Sequence, residues 1–383
     1  MKLKNYLYLT SETKTKDMLN KSLTFSRVDS AKFFKTLNGR VNEYFKSNNL
    51  KRTGNWQLWL KTIVMFLIFL VPYFLMMTID LPGWVQILFT IVMGIGMAGV
   101  GMNVMHDGNH GSFSNKSWVN KMMGSSIYIL AGNVYNWKVQ HNVLHHTYTN
   151  IHGHDEDLDA GRILRFTKHA EWKSHHKFQH IYSVLLYGLL TINWAITTDF
   201  LQMKRFMKRK LSHGKFPNYF INWSKLVLSK VIYWTVWVVL PMLILEIAWY
   251  KILLGFFLMH YTAGLILSVV FQLAHVMEDA EMPLPEANGT IKNTWAIHQL
   301  RTTVNFSPKN KLINWFTGGL NHQVEHHIFP NISHIHYGKI AEIVKKTTIE
   351  FNLPYNEYKT TRKAIIAHFR YLKDMGMNPA LQA

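Results

Sequence analysis

Residues 84–110 read WVQILFTIVMGIGMAGVGMNVMHDGNH, an apolar run that leads directly into two histidines. The apolar part, Trp84–Met105, carries no charged side chain and is long enough to cross a bilayer as a helix. His106 and His110 follow at once. Because residues four apart share one face of a helix, both imidazoles can reach one metal ion. The stretch therefore predicts a membrane-spanning helix that ends in a metal-binding pair.

The same span contains Gly94-Ile-Gly96-Met-Ala-Gly99, which matches a dinucleotide-binding fingerprint. That fingerprint functions only after a strand and at the start of a helix, and neither condition holds inside an apolar span. Small residues at this spacing instead predict close packing between membrane helices.

Three other stretches are also long and apolar enough to span a membrane. They are Thr62–Ile79, Val231–Trp249 and Ile252–Ala274. Few residues separate the members of each neighbouring pair, so the four spans are expected to form two tight hairpins. Buried helices of a soluble protein are disfavoured, because soluble helices of this length usually keep a polar face. The prediction is an all-α integral membrane protein.

A fifth apolar stretch, Ile181–Thr197, decides the topology. It leads into a basic run at residues 203–210. If the stretch crossed the membrane, this basic run would face outward and the histidine clusters would lie on opposite sides. Because basic residues favour the cytoplasmic side, we expect an interfacial or half-inserted element here, and another at Met122–Leu130.

Basic residues are concentrated outside the spans. The formal net charge is +20, and the segments 1–61, 106–225 and 275–383 hold 13, 15 and 12 of the 42 Lys and Arg residues. With four spans, these segments share one side of the membrane, which the positive charge identifies as cytoplasmic. Both termini and all the histidine clusters are then cytoplasmic. This basic face is expected to meet anionic lipid or an acidic partner, and no nucleic acid.

Three regions are expected along the chain. Residues 1–55 form a basic cytosolic segment without a visible signal peptide. Residues 56–340 form the membrane domain, with interfacial helices and a cytosolic helical cap that carries the histidine clusters. Residues 341–383 form a cytosolic tail.

Two more histidine clusters repeat the spacing of the first. They read His141-Asn-Val-Leu-His145-His146 and His322-Gln-Val-Glu-His326-His327. A catalytic zinc ion takes about three protein ligands, so this many imidazoles predicts two ions. Imidazole alone does not name the metal, but redox chemistry on a lipid chain favours iron.

Carboxylates beside the clusters can accept hydrogen bonds that orient the imidazoles. The candidates are Asp107, Asp155, Asp157 and Glu325. The chain has no cysteine, so a transition-metal site must rest on imidazole and carboxylate. His275 follows the fourth span directly and is a further candidate ligand. His334 and His336 are expected at the surface.

At these residues the chain resembles the membrane fatty acid desaturases. The resemblance rests on the order and spacing of the three clusters and on the flanking stretches Trp137–Asn150 and Gly318–Pro330. It covers most of residues 55–340. It implies a cytosolic di-iron site, O2 as co-substrate, and a fatty acyl substrate carried by CoA or by a membrane lipid. No catalytic side chain beyond the metal ligands is expected.

The resemblance also implies which residues bind the two irons. By position these are His106, His110, His141, His145, His146, His275, His326 and His327. The third cluster departs from the common pattern, because Gln323 stands at a ligand position and His322 lies one place earlier. Either His322 takes over as a ligand, or Gln323 is a weak or indirect partner of the metal. The helix rotates by about 100° between them, and we favour His322 as the ninth ligand.

The Gln-x-x-His-His form of the third cluster resembles front-end desaturases, which insert a double bond between an existing one and the carboxyl end. Many of these carry a fused cytochrome b5-like domain, for which residues 1–55 are too short. We therefore expect a separate electron donor of the ferredoxin, flavodoxin or cytochrome b5 type.

Two other functions share some of these features. A di-iron lipid hydroxylase would have the same clusters, because hydroxylation and desaturation diverge after the first hydrogen abstraction. A histidine-rich metal transporter would need polar ligands at mid-span, whereas the clusters here lie beyond the spans. Desaturation is the favoured interpretation.

Overall fold

The computed structural model describes residues 23–27, 30–158, 161–215 and 218–379. Residues 1–22, much of the expected N-terminal segment, lie outside these ranges. Most of the described residues are helical, so the all-α prediction is confirmed. The described strands have two residues each and form two parallel pairs. β1 (Thr24–Phe25) pairs with β2 (Thr290–Ile291), and β3 (Asn305–Phe306) pairs with β4 (Glu357–Tyr358).

The helices of the described residues include four candidate membrane spans and a helical cap. In chain order they are α1 (Ser30–Ser47), α2 (Trp56–Thr78), α3 (Gly83–His110), α4 (Ser117–Gly124), α5 (134–148), α6 (Gln179–Gly188), α7 (Leu190–Lys208), α8 (Tyr219–Ile244), α9 (Trp249–His275), α10 (Trp295–Thr302), α11 (Lys311–Phe316), α12 (Gln323–Ile328), α13 (Tyr337–Glu350) and α14 (Thr361–Gly376). Short 3-10 helices lie at Ser125–Leu130, Ser174–Phe178 and His334–His336.

Four helices of the described chain, α2, α3, α8 and α9, are long and apolar enough to cross a membrane. The third of these helices, α8, begins well before Val231, the expected start of the span. It ends five residues before Trp249, the expected end. It begins early because the Asn218 side chain caps it by accepting a hydrogen bond from the Ile221 N–H. The charge of Lys230 within it is neutralised by Asp199, with Nζ and Oδ2 2.6 Å apart. The helix ends where the backbone becomes extended at Leu245.

The small residues of α3 let the two hairpins approach closely, as the sequence predicts. A Cβ atom added to Gly96 would lie 2.6 Å from the backbone nitrogen of Phe69 in α2. One added to Gly94 would lie 2.5 Å from the carbonyl oxygen of Met259 in α9. Because glycine allows both approaches, α3 packs closely between α2 of its own hairpin and α9 of the other.

The ambiguous stretch at 181–197 falls on α6 and α7, which form a helix pair bent by 56°. By length and composition this pair could count as a fifth span. The basic end of α7 is tied to the acidic run that follows the second histidine cluster, since Arg205 and the adjoining Arg209 both contact the Glu156 carboxylate.

The cap is built from both ends of the described chain. Phe33 and Leu37 of α1 pack with Ile340 and Val344 of α13 in a buried apolar cluster. This cluster also contains Val324 and Ile328 of α12, which carries part of the third histidine cluster. The N-terminal helix therefore supports the site from outside the membrane bundle.

Candidate metal centre

Eight of the nine expected ligand histidines come together. His106, His110, His141 and His326 form one group whose nearest ring nitrogens lie within 4.8 Å of one another, and His145, His275 and His327 form a second. His146 groups with His326 and His327, so it links the two. Helices α3, α5, α9 and α12 each contribute to this arrangement, although more than 200 residues of chain separate the first cluster from the third.

A π-helical turn divides the second cluster between the two groups. Residues Lys138–His145 are π-helical, and the His146 N–H donates to the carbonyl of His141, five residues back. Residues five apart therefore share a face, and the Nε2 atoms of His141 and His146 are 3.3 Å apart. His145 points instead to the second group. Single π-helical turns inside α-helices are frequent at functional sites for this reason.

Two adjacent glycines bring the third cluster against the end of α3. Gly318 and Gly319 both have left-handed backbone conformations, with φ of 61° and 68°. A Cβ atom at Gly318 would also clash with the carbonyl oxygen of Met102, in the π-helical turn that precedes His106. Glycine is required here because only it tolerates both the conformation and the contact.

Two of the predicted carboxylates orient histidines of the second cluster. His141 Nδ1 lies 3.0 Å from Asp157 Oδ2, and His145 Nδ1 lies 2.9 Å from Asp155 Oδ2. Burial lowers the pKa of His145, but the Asp155 carboxylate outweighs burial and raises that pKa overall. Each contact holds the ring proton on Nδ1 and leaves Nε2 directed at the centre.

The third cluster is oriented by residues that the sequence did not indicate. His327 Nδ1 lies 2.9 Å from Gln299 Oε1, and His326 Nδ1 lies 3.2 Å from the Tyr337 hydroxyl. Thr149 also donates to Gln299, at 2.8 Å. Gln299 lies on α10 and Tyr337 on α13, and no spacing in the sequence links these two residues to the histidines.

Several of the ring nitrogens that face the centre have no protein partner. Nε2 of His106, His110, His145 and His327 is buried and makes no hydrogen bond to any described residue. Buried polar atoms are rarely left unpaired, so this set fits metal ions. Burial, followed by the neighbouring imidazoles, holds the pKa of His146, His326 and His327 well below the usual range. Neutral imidazole is the form that binds metals.

Not every predicted residue joins the centre. His322 belongs to none of the groups, and its Nδ1 lies 3.6 Å from Glu325 Oε2. Glu325 is itself buried and accepts from Asn305 at 2.8 Å and from the Tyr355 hydroxyl at 3.0 Å. Gln323 lies on the side of the centre, where it lines a cavity together with His106.

Asp107 orients a histidine that was expected at the surface. Its Oδ2 lies 3.0 Å from His334 Nδ1 and accepts from the Ser333 hydroxyl at 2.7 Å. The other ring nitrogen of His334 lies 2.9 Å from Lys61 Nζ. The prediction for His334 and His336 was wrong, because both are buried between the cap and the N-terminal end of α2. Their apolar surroundings come from α1 and α13, which lie far away in the sequence.

An apolar cavity of about 160 Å3 reaches the centre from the membrane bundle. Its wall includes His106 and His141 at one end. Apolar side chains of α3, α5, α7 and α9 make up most of the rest, among them Met102, Trp137, Trp194, Leu267 and Phe271. Such a cavity has room for a short segment of a hydrocarbon chain beside the histidines.

The fold and site define a class of protein: a helical membrane protein in which histidines converge on a metal centre beside an apolar cavity. A family model described as fatty acid desaturase matches residues 82–359. An sn-1 linoleoyl-lipid 6-desaturase of Arthrospira platensis is 36% identical over 362 residues, covering 94% of this chain and 96% of that protein. A protein of the same description from Synechocystis is 35% identical over 347 residues, 90% of this chain and 95% of its own.

A third relative, the acyl-lipid (8-3)-desaturase of Physcomitrium patens, is 33% identical over 367 residues, 93% of this chain and 74% of that protein. The chain belongs to the fatty acid desaturase family. The predicted membrane character and oxidoreductase class are thereby confirmed.

Proposed function

We propose that the chain desaturates acyl chains of membrane lipids and places the new double bond between an existing double bond and the carboxyl end. The observation that carries this proposal is the convergence of eight histidines, several of them with unpaired Nε2 atoms, beside an apolar cavity. The printed activities of the relatives, a linoleoyl-lipid 6-desaturase and an acyl-lipid (8-3)-desaturase, support the lipid carrier and the position of the new bond.

Two iron ions are the metals we assign to the centre. His106, His110, His141 and His326 would hold one ion, and His145, His275 and His327 would hold the other, with His146 placed between the two groups. An all-imidazole donor set suits iron as well as zinc or copper, and oxidation of an unactivated hydrocarbon favours iron. When bound, the irons would supply the O2 activation that this oxidation requires.

The protein's own part is to hold the acyl chain and the ligands in fixed positions. The apolar wall around Trp137 and Phe271 excludes water and aligns two adjacent methylenes with the centre. Asp155 and Asp157 keep the rings of His145 and His141 fixed. The substrate loses two hydrogen atoms to form a C=C bond, and O2 is reduced to two waters with two electrons and two protons from a donor.

The distribution of charge supports an orientation in the membrane and a type of electron donor. Lys and Arg are concentrated in the segments that carry the histidines, which supports a cytoplasmic centre and cytoplasmic termini. That basic side would attract the anionic headgroups of the lipid substrate and an acidic carrier such as a ferredoxin, a flavodoxin or a cytochrome b5.

Expression in a host without polyunsaturated lipids tests the proposal. Membranes supplied with linoleoyl lipid should gain a product that is two hydrogens lighter, with the new double bond on the carboxyl side of the existing one. The His327→Gln variant should give no product. The Lys292→Gln variant, which changes a charge at an exposed position outside the centre, should retain it. A product heavier by one oxygen would establish the hydroxylase instead.

A further inference from the structure

Three consecutive carboxylates follow the second histidine cluster, and they contact different partners. Asp155 and Asp157 contact the ring nitrogens of His145 and His141. Glu156, between them, is directed the other way, towards α7, and its side chain is only 12% exposed. The two outer carboxylates orient histidines of the metal centre, so the middle one needs an explanation of its own.

Two arginines hold Glu156. Arg205 donates to it from Nε at 3.1 Å and from Nη2 at 2.5 Å, one bond to each carboxylate oxygen. Arg209 adds a third hydrogen bond, from Nη1 to Oε1 at 3.0 Å. Two parallel bonds from one guanidinium fix both the position and the plane of a carboxylate. Ion pairs with exposed partners contribute little to overall stability, so the main consequence of these contacts is local geometry.

The helix that carries Arg205 is fixed against the second histidine cluster. Phe206, the next residue in α7, is fully buried and packs with Val139 and Leu144 of α5. Leu144 immediately precedes His145 in the chain. The packing therefore sets the place of α7 relative to the histidines, and a side chain that α7 holds is placed relative to them as well.

A second contact runs from the same face of α7 to the acidic run. Gln202 lies one turn before Arg205, and its amide donates to the Gln140 side-chain oxygen. The Gln140 amide donates in turn to Asp157, which lies 3.0 Å from His141 Nδ1. Helix α7 therefore acts on two adjacent residues of the acidic run, and one of them contacts a histidine directly.

The charges explain why the acidic run needs this support. Three neighbouring carboxylates repel one another unless positive groups oppose them. Arg205 and Arg209 supply positive charge at the middle carboxylate. With Glu156 held, the backbone on both sides of it is held too, and this fixes the starting points of the Asp155 and Asp157 side chains. These two contact histidines of different groups, so one residue can influence both halves of the centre.

We propose that Glu156 is a positioning residue: held by α7, it fixes Asp155 and Asp157 and, through them, the imidazoles of His145 and His141. The proposal rests on the proposed function, since it assumes that these imidazoles bind iron. It adds Glu156 and α7 to the parts of the chain that set the geometry of the ligands.

The rate of iron release tests this role. Iron-loaded protein in detergent is reduced and mixed with a chelator of ferrous iron. Glu156→Ala should release iron about tenfold faster than the wild type, the lower end of the range for residues that orient ligands. Its Mössbauer spectrum should differ from the wild type for both irons, because His141 and His145 belong to different groups. The unfolding temperature of the metal-free variant should stay within about 3 °C of the wild type.

Two further variants and a control show whether Glu156 acts through α7. Arg205→Ala should release iron faster than the wild type but more slowly than Glu156→Ala, because Arg209 still holds the carboxylate. The double variant should match Glu156→Ala alone, since both changes remove the same contact. Glu350→Ala is the matched control. It breaks an ion pair of 2.6 Å with Arg40 in the cap and should leave the release rate and the spectrum unchanged.

A wild-type release rate and spectrum in Glu156→Ala would overturn the proposal. So would a lower unfolding temperature with an unchanged spectrum, because the residue would then only stabilise the fold. Glu156→Gln can accept from Arg205 through one oxygen only, so it should show the same changes to a smaller extent. It decides the question if the alanine variant does not fold. A wild-type protein that binds no iron would instead overturn the proposed function.

Discussion

His322 and Gln323 are neighbours in the chain but meet different surroundings. His322 lies beside the buried Glu325 carboxylate and outside every group of converging histidines. Gln323 begins α12 and lines the cavity with His106 and His141. The sequence alone could not separate the two, because either residue can face a metal when the helix is rotated by one position. The geometry places Gln323, rather than His322, beside the converging histidines.

This assignment predicts opposite results for two substitutions. His322→Gln should retain both irons and at least about half of the activity, because His322 contributes no ring nitrogen to the centre. Gln323→Leu should lower the activity by about tenfold or more, as expected for loss of a group that supports a metal centre. Iron content and product formation should be measured on both purified variants. Loss of iron in His322→Gln alone would restore His322 as the ninth ligand.

At the scale of elements, the hairpins and the order of the clusters were predictable, because apolar length and histidine spacing are local signals. The bounds of α8 were less predictable, because Lys230 pairs with Asp199, a residue on another helix that lies far from it in the sequence. The partners of the third cluster, Gln299 and Tyr337, could not be found at all. They lie on separate helices, and only the assembled cap brings them to the histidines.

No sequence pattern predicted the π-helical turn in α5. An ordinary α-helix would align His141 with His145, as the four-residue spacing suggests. The extra residue aligns His141 with His146 instead and frees His145 for the second group. The turn thus lets one cluster contribute to both groups of histidines.

Deletion of Val143 tests this role of the turn. The shortened segment would return to α-helical hydrogen bonding, which keeps the former His146 on the face of His141. The former His145 would then lie only three residues from His141 and would turn away from the second group. We expect the purified variant to lose at least one of the two irons and all measurable desaturation. Val143→Ala keeps the residue count and should retain both. A deletion variant that still binds two irons would show that the turn does not position the cluster.

At the scale of the whole molecule, the centre couples protonation to folding. Burial keeps His146, His326 and His327 neutral by lowering their pKa, whereas in the unfolded chain each would titrate near 6.5. Below that pH the unfolded chain binds protons that the folded chain does not, so the free energy of unfolding falls as pH falls. His145 acts oppositely, because its raised pKa contributes stability that is present below pH 6.5 and lost as pH rises.

Three histidines with a lowered pKa outweigh one with a raised pKa. The metal-free protein should therefore be less stable at pH 5.5 than at pH 7.5. Each histidine that stays neutral contributes about 1.4 kcal/mol of this loss at one pH unit below 6.5. Thermal unfolding in detergent at a series of pH values measures the effect. The His326→Gln variant should show a shallower dependence, since it removes one of the three groups. Stability that is constant or rises towards pH 5.5 would contradict the burial of neutral histidines.

The proposed function depends on the eight histidines binding two irons on one side of the membrane bundle. Elemental analysis of the purified, active protein tests this most directly, because it counts the ions without assuming the reaction. We expect about two iron atoms per chain and negligible zinc and copper. Active protein with zinc in place of iron, or with less than one iron per chain, would contradict it.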